Sequence, residues 1–181
     1  MGTEDQHLLQ RRSIVSHYTT EFGSIHEYQK GSVTIIGNDS KKNYVMSNMF
    51  EVAAKSAPYE RVAVAKNFEY VIESVRAEGT SAWYTAAHDE FAVAMDFPVT
   101  VELVKLDDPD AVVDPESEGG HKIEGDPAGR KMGTVKLSRG HMVLLPVGAA
   151  YRFVSEEPAT LMIQTIDGPE TLHRWADFCH Q

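Results

Sequence analysis

Between Trp83 and Met95 the chain runs WYTAAHDEFAVAM, and every second residue from Tyr84 onward gives the set Tyr84, Ala86, His88 and Glu90. In an extended segment this two-residue period puts all four side chains on one face. The inner wall of a small β-barrel can hold a metal ion on such a face, since imidazole and carboxylate groups are ligands that iron accepts. Only half of the set suits that chemistry. His88 and Glu90 ligate readily, whereas Ala86 carries no donor atom. Tyr84 mostly cannot ligate either. The same residues suit a second arrangement, a buried hydrogen-bonded cluster of His88, Glu90 and tyrosine that satisfies its polar groups without a metal.

A second stretch, GHMVLLPVGAAYRF at 140–153, bears on the first. Gly140 is followed by five residues, Pro146-Val147-Gly148, and then Tyr151 after two more. Pro146 and Gly148 predict a tight turn, after which a strand re-enters the body with one side chain directed inward. His141 opens the strand before that turn, and His121 lies in a loop-like segment. A non-standard metal site therefore stands as an alternative, built from His88, Glu90, Tyr84 and Tyr151 with His121 or His141 added.

Positioning these residues requires strands, and the surrounding pattern supplies them. From Glu21 onward, runs rich in Val, Ile, Tyr and Phe follow one another at 32–37, 43–54, 60–79, 82–106, 132–156 and 159–167. Turn residues divide them at 37–40, 57–58, 79–81, 97–98, 146–148 and 157–158, a spacing that suits a sandwich or barrel. In PVTVELVKL, Val99, Val101 and Leu103 alternate with Thr100 and Glu102, as in a strand with one buried side. The run at 60–79 is long enough for a helix, but its Val, Ile and aromatic content favours strands. Residues 107–130 are acidic and rich in Gly and Pro, and are expected to form a solvated loop. The stretch from Pro169 predicts a C-terminal helix, with Leu172, Trp175, Ala176 and Cys179 at helical spacing. Residues 1–20, mixed in charge and including Arg11 and Arg12, are expected to form an arm. The resulting plan is an arm over 1–20, a β-barrel domain over 21–168 and a helix over 169–181.

Composition narrows the function classes. The 181 residues fit one domain, with 42% hydrophobic and 24% charged residues typical of a soluble globular protein. A net charge of −10 argues against a nucleic-acid partner, which needs a basic face. There is no apolar run long enough to span a membrane, and no secretory signal is expected at the N-terminus. One cysteine, Cys179, rules out an intrachain disulfide and suits a reducing cytoplasm.

The spacing from Gly140 through Pro146 and Gly148 to Tyr151 resembles the second signature of the cupins, in which the position of Tyr151 is normally a histidine ligand. Laid on the first cupin signature, Glu90 falls on the glutamate, Tyr84 and Ala86 fall on its two histidines, and Phe97 falls on its terminal glycine. The chain thus resembles a cupin over roughly 60–167, which implies an all-β jelly roll whose metal-ligand positions are degenerate. Within that superfamily it resembles the small subunit of the two-component hydroquinone 1,2-dioxygenases. That likeness is carried by TEFGSIHEYQKGSV (20–33), SAPYERVAVAKNFEYVIE (56–73), EGTSAWYTAAHDEFAVAMD (78–96), GRKMGTVKLSRGHMVLLPVGAAYRF (129–153) and LMIQTI (161–166).

The resemblance implies a larger cupin partner that holds Fe(II), an α2β2 heterotetramer, and opening of the hydroquinone ring by O2 to 4-hydroxymuconic semialdehyde. This chain would bind no metal and contribute no catalytic residue alone, and would complete the pocket wall and stabilise the partner. Trp83, Tyr84, His88, Glu90 and Tyr151 are the pocket or partner-facing residues it singles out, and Arg11 and Arg12 in the arm would wrap the larger subunit. Three other functions remain open at this level. They are a single-chain cupin dioxygenase acting on hydroxyquinol or a related polyphenol, a metal-free cupin that binds a small aromatic ligand, and a sugar-modifying cupin, which the residues at the ligand positions make weaker.

Overall fold

The computed structural model describes residues 48–174. The arm with Arg11 and Arg12, the run at 32–37, and Trp175, Ala176 and Cys179 lie outside the described residues. Inside them the chain forms one short helix and ten strands: α1 (Met49–Lys55), β1 (Arg61–Asn67), β2 (Tyr70–Thr80), β3 (Trp83–Ala86), β4 (Glu90–Ala94), β5 (Val99–Leu106), β6 (Gly120–Ile123), β7 (Gly129–Leu137), β8 (Met142–Leu145), β9 (Ala149–Ile166) and β10 (Thr171–Leu172). Among the described residues no helix is long and apolar enough to cross a membrane.

All ten strands belong to one connected sheet that wraps into the cupin-type jelly roll. Its spine is β9, 18 residues long. The first part of β9 pairs antiparallel with β5 (Thr100↔Val154 to Lys105↔Ala149) and touches β3 at Tyr84↔Tyr151. Its second part pairs with β2 (Tyr70↔Ile166 to Ala77↔Ala159) and β4 (Phe91↔Gln164 to Ala94↔Leu161). A strand that changes neighbours midway forces the sheet to curl, and the curl encloses the core. That core follows the two-residue period: Val99, Val101 and Leu103 of β5, Tyr151 and Phe153 of β9, Val143 and Leu145 of β8, and Val75 and Ala77 of β2. The run at 60–79 is two strands, β1 and β2, as its β-branched content favours.

Four elements differ from the sequence pattern. The described part of the run at 43–54 is a helix, because Asn48 caps it. The Asn48 side-chain oxygen accepts from the backbone N–H of Phe50 (3.1 Å) and Glu51 (3.3 Å), and Glu51 pairs with Lys55 one turn on (2.7 Å). Its apolar side, Met49 and Val52, covers Val62, Val64 and Ile72 on the outside of β1 and β2. Next, Glu157–Pro158 does not divide two strands. Ser155 pairs with Gly79 and Ala159 with Ala77, so Glu156, Glu157 and Pro158 face Glu78 alone as a bulge. The missing N–H of Pro158 is accommodated where the ladder is already open.

The acidic segment at 107–130 also contributes to the sheet. Gly120–Ile123 forms β6, antiparallel to β3 from Trp83↔Ile123 to Ala86↔Gly120. Finally, 169–174 does not begin a helix: Thr171 and Leu172 pair parallel with Arg61 and Val62 of β1. This C-terminal segment is held by a 2.6 Å pair between Arg174 and Glu60 and by Asp167, which meets Lys66 and His173. Those contacts demand an extended backbone.

Candidate functional site

Adjacent strands bring two carboxylates and a cation to the same inward face. On β2, Glu73 is in phase with Val71, Val75 and Ala77, all buried. On β1, Arg61 lies opposite Val75, which fixes its side as inward, while Val62 and Val64 point outward beneath α1. β4 begins with Glu90, and β9 passes Tyr151 and Thr165 alongside. Arg61 is 3% exposed, Glu73 and Glu90 are 0%, and Tyr151 is 1%. Charges this deep must be paired, and these are.

The guanidinium of Arg61 is the hub. Its Nε donates to Glu73 Oε2 (2.6 Å), Nη2 donates to Glu90 Oε1 (2.7 Å), and Nη1 donates to the Tyr151 hydroxyl (3.1 Å). The Tyr151 hydroxyl in turn donates to Glu90 Oε2 in a short contact. The second oxygen of Glu73 accepts from the Thr171 hydroxyl (2.7 Å), which ties β10 into the network. The Tyr84 ring lies 5.8 Å from the guanidinium carbon and stacks on Tyr151 with 6.0 Å between centroids. Gly120 of β6 makes room for the hub, since a Cβ there would stand 2.1 Å from Arg61 Nη1.

The two carboxylates differ in their electrostatics. Burial pushes the Glu90 carboxyl up, but Arg61 and the hydrogen bonds from Tyr151 and Thr165 outweigh it, so its pKa is lowered and it is an anion. At Glu73 burial outweighs Arg61 and Thr171, and the pKa is raised. Burial, with Glu90 adding to it, raises Tyr151 well above the ordinary phenol value despite Arg61. Tyr151 is therefore a neutral phenol that donates to Glu90, as the contact requires.

This arrangement does not fit a ferrous ion. Both oxygens of Glu90 are engaged, Tyr151 is held protonated, Ala86 offers no donor, and a fixed positive charge already stands among them. Among the described residues no three His, Cys, Asp or Glu side chains gather as a metal-binding group. The alternative ligand set does not assemble at this point either. His88 turns its Nε2 to the Thr165 hydroxyl (3.1 Å), so it reaches Glu90 only through Thr165, and its Nδ1 is buried without a partner. His121, one residue on from Gly120, leaves β6 on the opposite face. The His141 ring accepts from the Ser138 N–H in an exposed turn.

Trp83 and Tyr84 are neighbours on β3, and strand alternation sends them to opposite sides. Tyr84 enters the barrel, whereas Trp83 packs outside it with Leu106 and Ala150. The Trp83 indole N–H donates to Asp126 (3.2 Å), and the Arg152 guanidinium carbon lies 4.5 Å from the centre of its ring. Arg61 and Glu73, the centre of the site, are absent from the candidates read from sequence. A signal for Glu73 was present, since a carboxylate in phase with Val71, Val75 and Ala77 needs a buried cation.

No protein-family model and no curated protein matches the chain. Solved structures do. A chain of the hydroquinone 1,2-dioxygenase from Sphingomonas sp. TTNP3, with 4-hydroxybenzoate bound, is 58% identical over 91% of this chain and 99% of its own, with a TM-score of 0.75. A chain of hydroquinone 1,2-dioxygenase PnpCD, in complex with Cd2+ and 4-hydroxybenzonitrile, is 45% identical over 91% of this chain and 98% of its own, with a TM-score of 0.71. A longer chain, from hydroquinone 1,2-dioxygenase PnpCD in complex with Fe3+, shares the fold at 8% identity and a TM-score of 0.51. That match covers 80% of this chain and 39% of the longer one.

Proposed function

This chain belongs to the hydroquinone 1,2-dioxygenase family, and from that membership we propose that it is the small, non-iron subunit of a ring-cleaving dioxygenase. A larger cupin chain carries the Fe(II), and two copies of each chain form the complex in the cytoplasm. The reaction opens hydroquinone with O2 to 4-hydroxymuconic semialdehyde. Ring opening belongs to the larger chain. This chain completes the pocket wall, excludes water and holds the larger chain in its active shape.

The observation that carries this proposal is the guanidinium of Arg61 seated on Glu90 and Tyr151, the residues at two of the cupin ligand positions. Near-complete coverage at 58% identity supports membership of the enzyme, and a longer chain of the same fold in the Fe3+ complex of PnpCD supports an assembly of unequal chains.

Co-expression with a larger cupin chain from the same source tests it. The two chains should co-elute on size exclusion, with iron in proportion to the larger chain, and the lone full-length chain should show no oxygen uptake with hydroquinone. A lone chain that arrives with about one ferrous ion and cleaves hydroquinone unaided would refute the proposal.

A further inference from the structure

The hub of the barrel has the anatomy of a cation site. Two carboxylates from different strands, Glu73 and Glu90, each turn one oxygen to the same group, and a phenol hydroxyl completes its surroundings. The outer oxygens are held as well, Glu73 Oε1 by the Thr171 hydroxyl and Glu90 Oε2 by the Tyr151 hydroxyl. Gly120 leaves room for the occupant, because an added Cβ would collide with Nη1 (2.1 Å) and Cζ (2.8 Å). The occupant is the end of a side chain. A guanidinium stays charged at every pH the fold tolerates and presents its donors in a fixed fork, so it suits two carboxylates better than an ammonium does.

We propose that the Glu73–Glu90 pair is a guanidinium-class cation site and that Arg61 is its permanent, chain-borne occupant, standing at the cupin's metal position and barring a metal from it. This shares the Arg61 geometry with the subunit proposal but not its partner, so failed co-elution with a larger chain would leave it standing. It predicts that the site outlives its occupant. With Arg61 shortened, the carboxylates should accept a free guanidinium of the same shape.

The test uses the full-length chain as wild type, Arg61→Ala, and the triple variant Arg61→Ala, Glu73→Gln, Glu90→Gln, each prepared with and without ethylguanidinium. Millimolar concentrations keep the additive far below denaturing levels. Arg61→Ala alone should melt about 10 °C or more below wild type, since it leaves two buried carboxylates uncompensated. Ethylguanidinium should raise its melting temperature by about 3–6 °C once tenfold above its dissociation constant. Wild type and the triple variant should not respond, the first because the site is full and the second because the charges are gone.

Three results would overturn the proposal. One is an Arg61→Ala chain as stable as wild type. Another is an Arg61→Ala chain that gains nothing from ethylguanidinium, failure to fold in its presence included. The third is a wild-type chain that binds Mn2+ and loses that binding on Glu90→Gln.

Discussion

Adding one methyl group at Gly120 should dislodge Arg61 without altering any charge. A Cβ at that position would lie 2.1 Å from Nη1, 2.8 Å from Cζ and 3.1 Å from Nη2 of Arg61. A flexible side-chain end would ordinarily move aside at small cost. Here the guanidinium is fixed by Glu73 at 2.6 Å and Glu90 at 2.7 Å, so a shift large enough to clear the methyl breaks at least one buried ion pair. Breaking such a pair costs about 3–5 kcal/mol, more than overpacking alone, which costs about 1–3 kcal/mol. Gly120→Ala should therefore lose about 3–5 kcal/mol in urea unfolding at pH 7 with the slope unchanged, and about 6–20 °C in melting temperature. Gly133→Ala is the matched control, since nothing lies within 4 Å of its Cβ position, and it should change stability by less than about 0.5 kcal/mol. In an Arg61→Ala background the Gly120→Ala cost should largely vanish, as a double-mutant cycle would show. If Gly120→Ala matches Gly133→Ala, the close packing assigned to Gly120 is wrong.

Thr171→Val removes the donor to Glu73 Oε1 at nearly constant volume and should cost about 1–3 kcal/mol, whereas Thr171→Ser should cost less; equal losses would show that the hydroxyl contributes nothing. The pH dependence of folding should contain a term from His88. Burial, with Arg61 and His121 acting in the same direction, lowers its pKa from 6.5 against the pull of Glu90 and Asp89. The unfolded imidazole therefore takes up a proton first. Stability is unaffected by this group above about pH 6.5 and falls as the pH drops from there toward the lowered folded value. His88→Gln should flatten that part of a pH series of urea unfolding, and an unchanged slope would remove His88 as the cause. Trp83→Ala should lower turnover of the reconstituted two-chain enzyme, and unchanged kcat and KM would place Trp83 outside the pocket wall.

The residues themselves disclosed a good deal of this protein. Alternation at Val99, Val101 and Leu103 set the inward face of β5, and Pro146 with Gly148 set the turn before β9. Glu90 and Tyr151 were legible as inward-facing residues from their phase and their place in the cupin signatures, and they do meet, across 61 residues of chain. Local signals for α1 were also present: Asn48 followed by Glu51 is a cap pattern, here masked by a β-like run of apolar residues.

Local pattern could not show which inward faces meet. Strand phase sends Arg61 and Glu73 inward, but their union with Glu90 and Tyr151 joins positions 29 and 90 residues from Arg61, and only the curl of the sheet around β9 brings these together. The same holds for β6 and β10, whose four and two residues are too few to carry a strand pattern and pair because β3 and β1 leave edges open to them. Sequence determined the faces of the strands and the tyrosines and alanine that stand at Tyr84, Ala86 and Tyr151. Tertiary structure decided which cation meets Glu90 and Tyr151, because an isolated charge on a buried face has no meaning until the fold supplies its counter-charge.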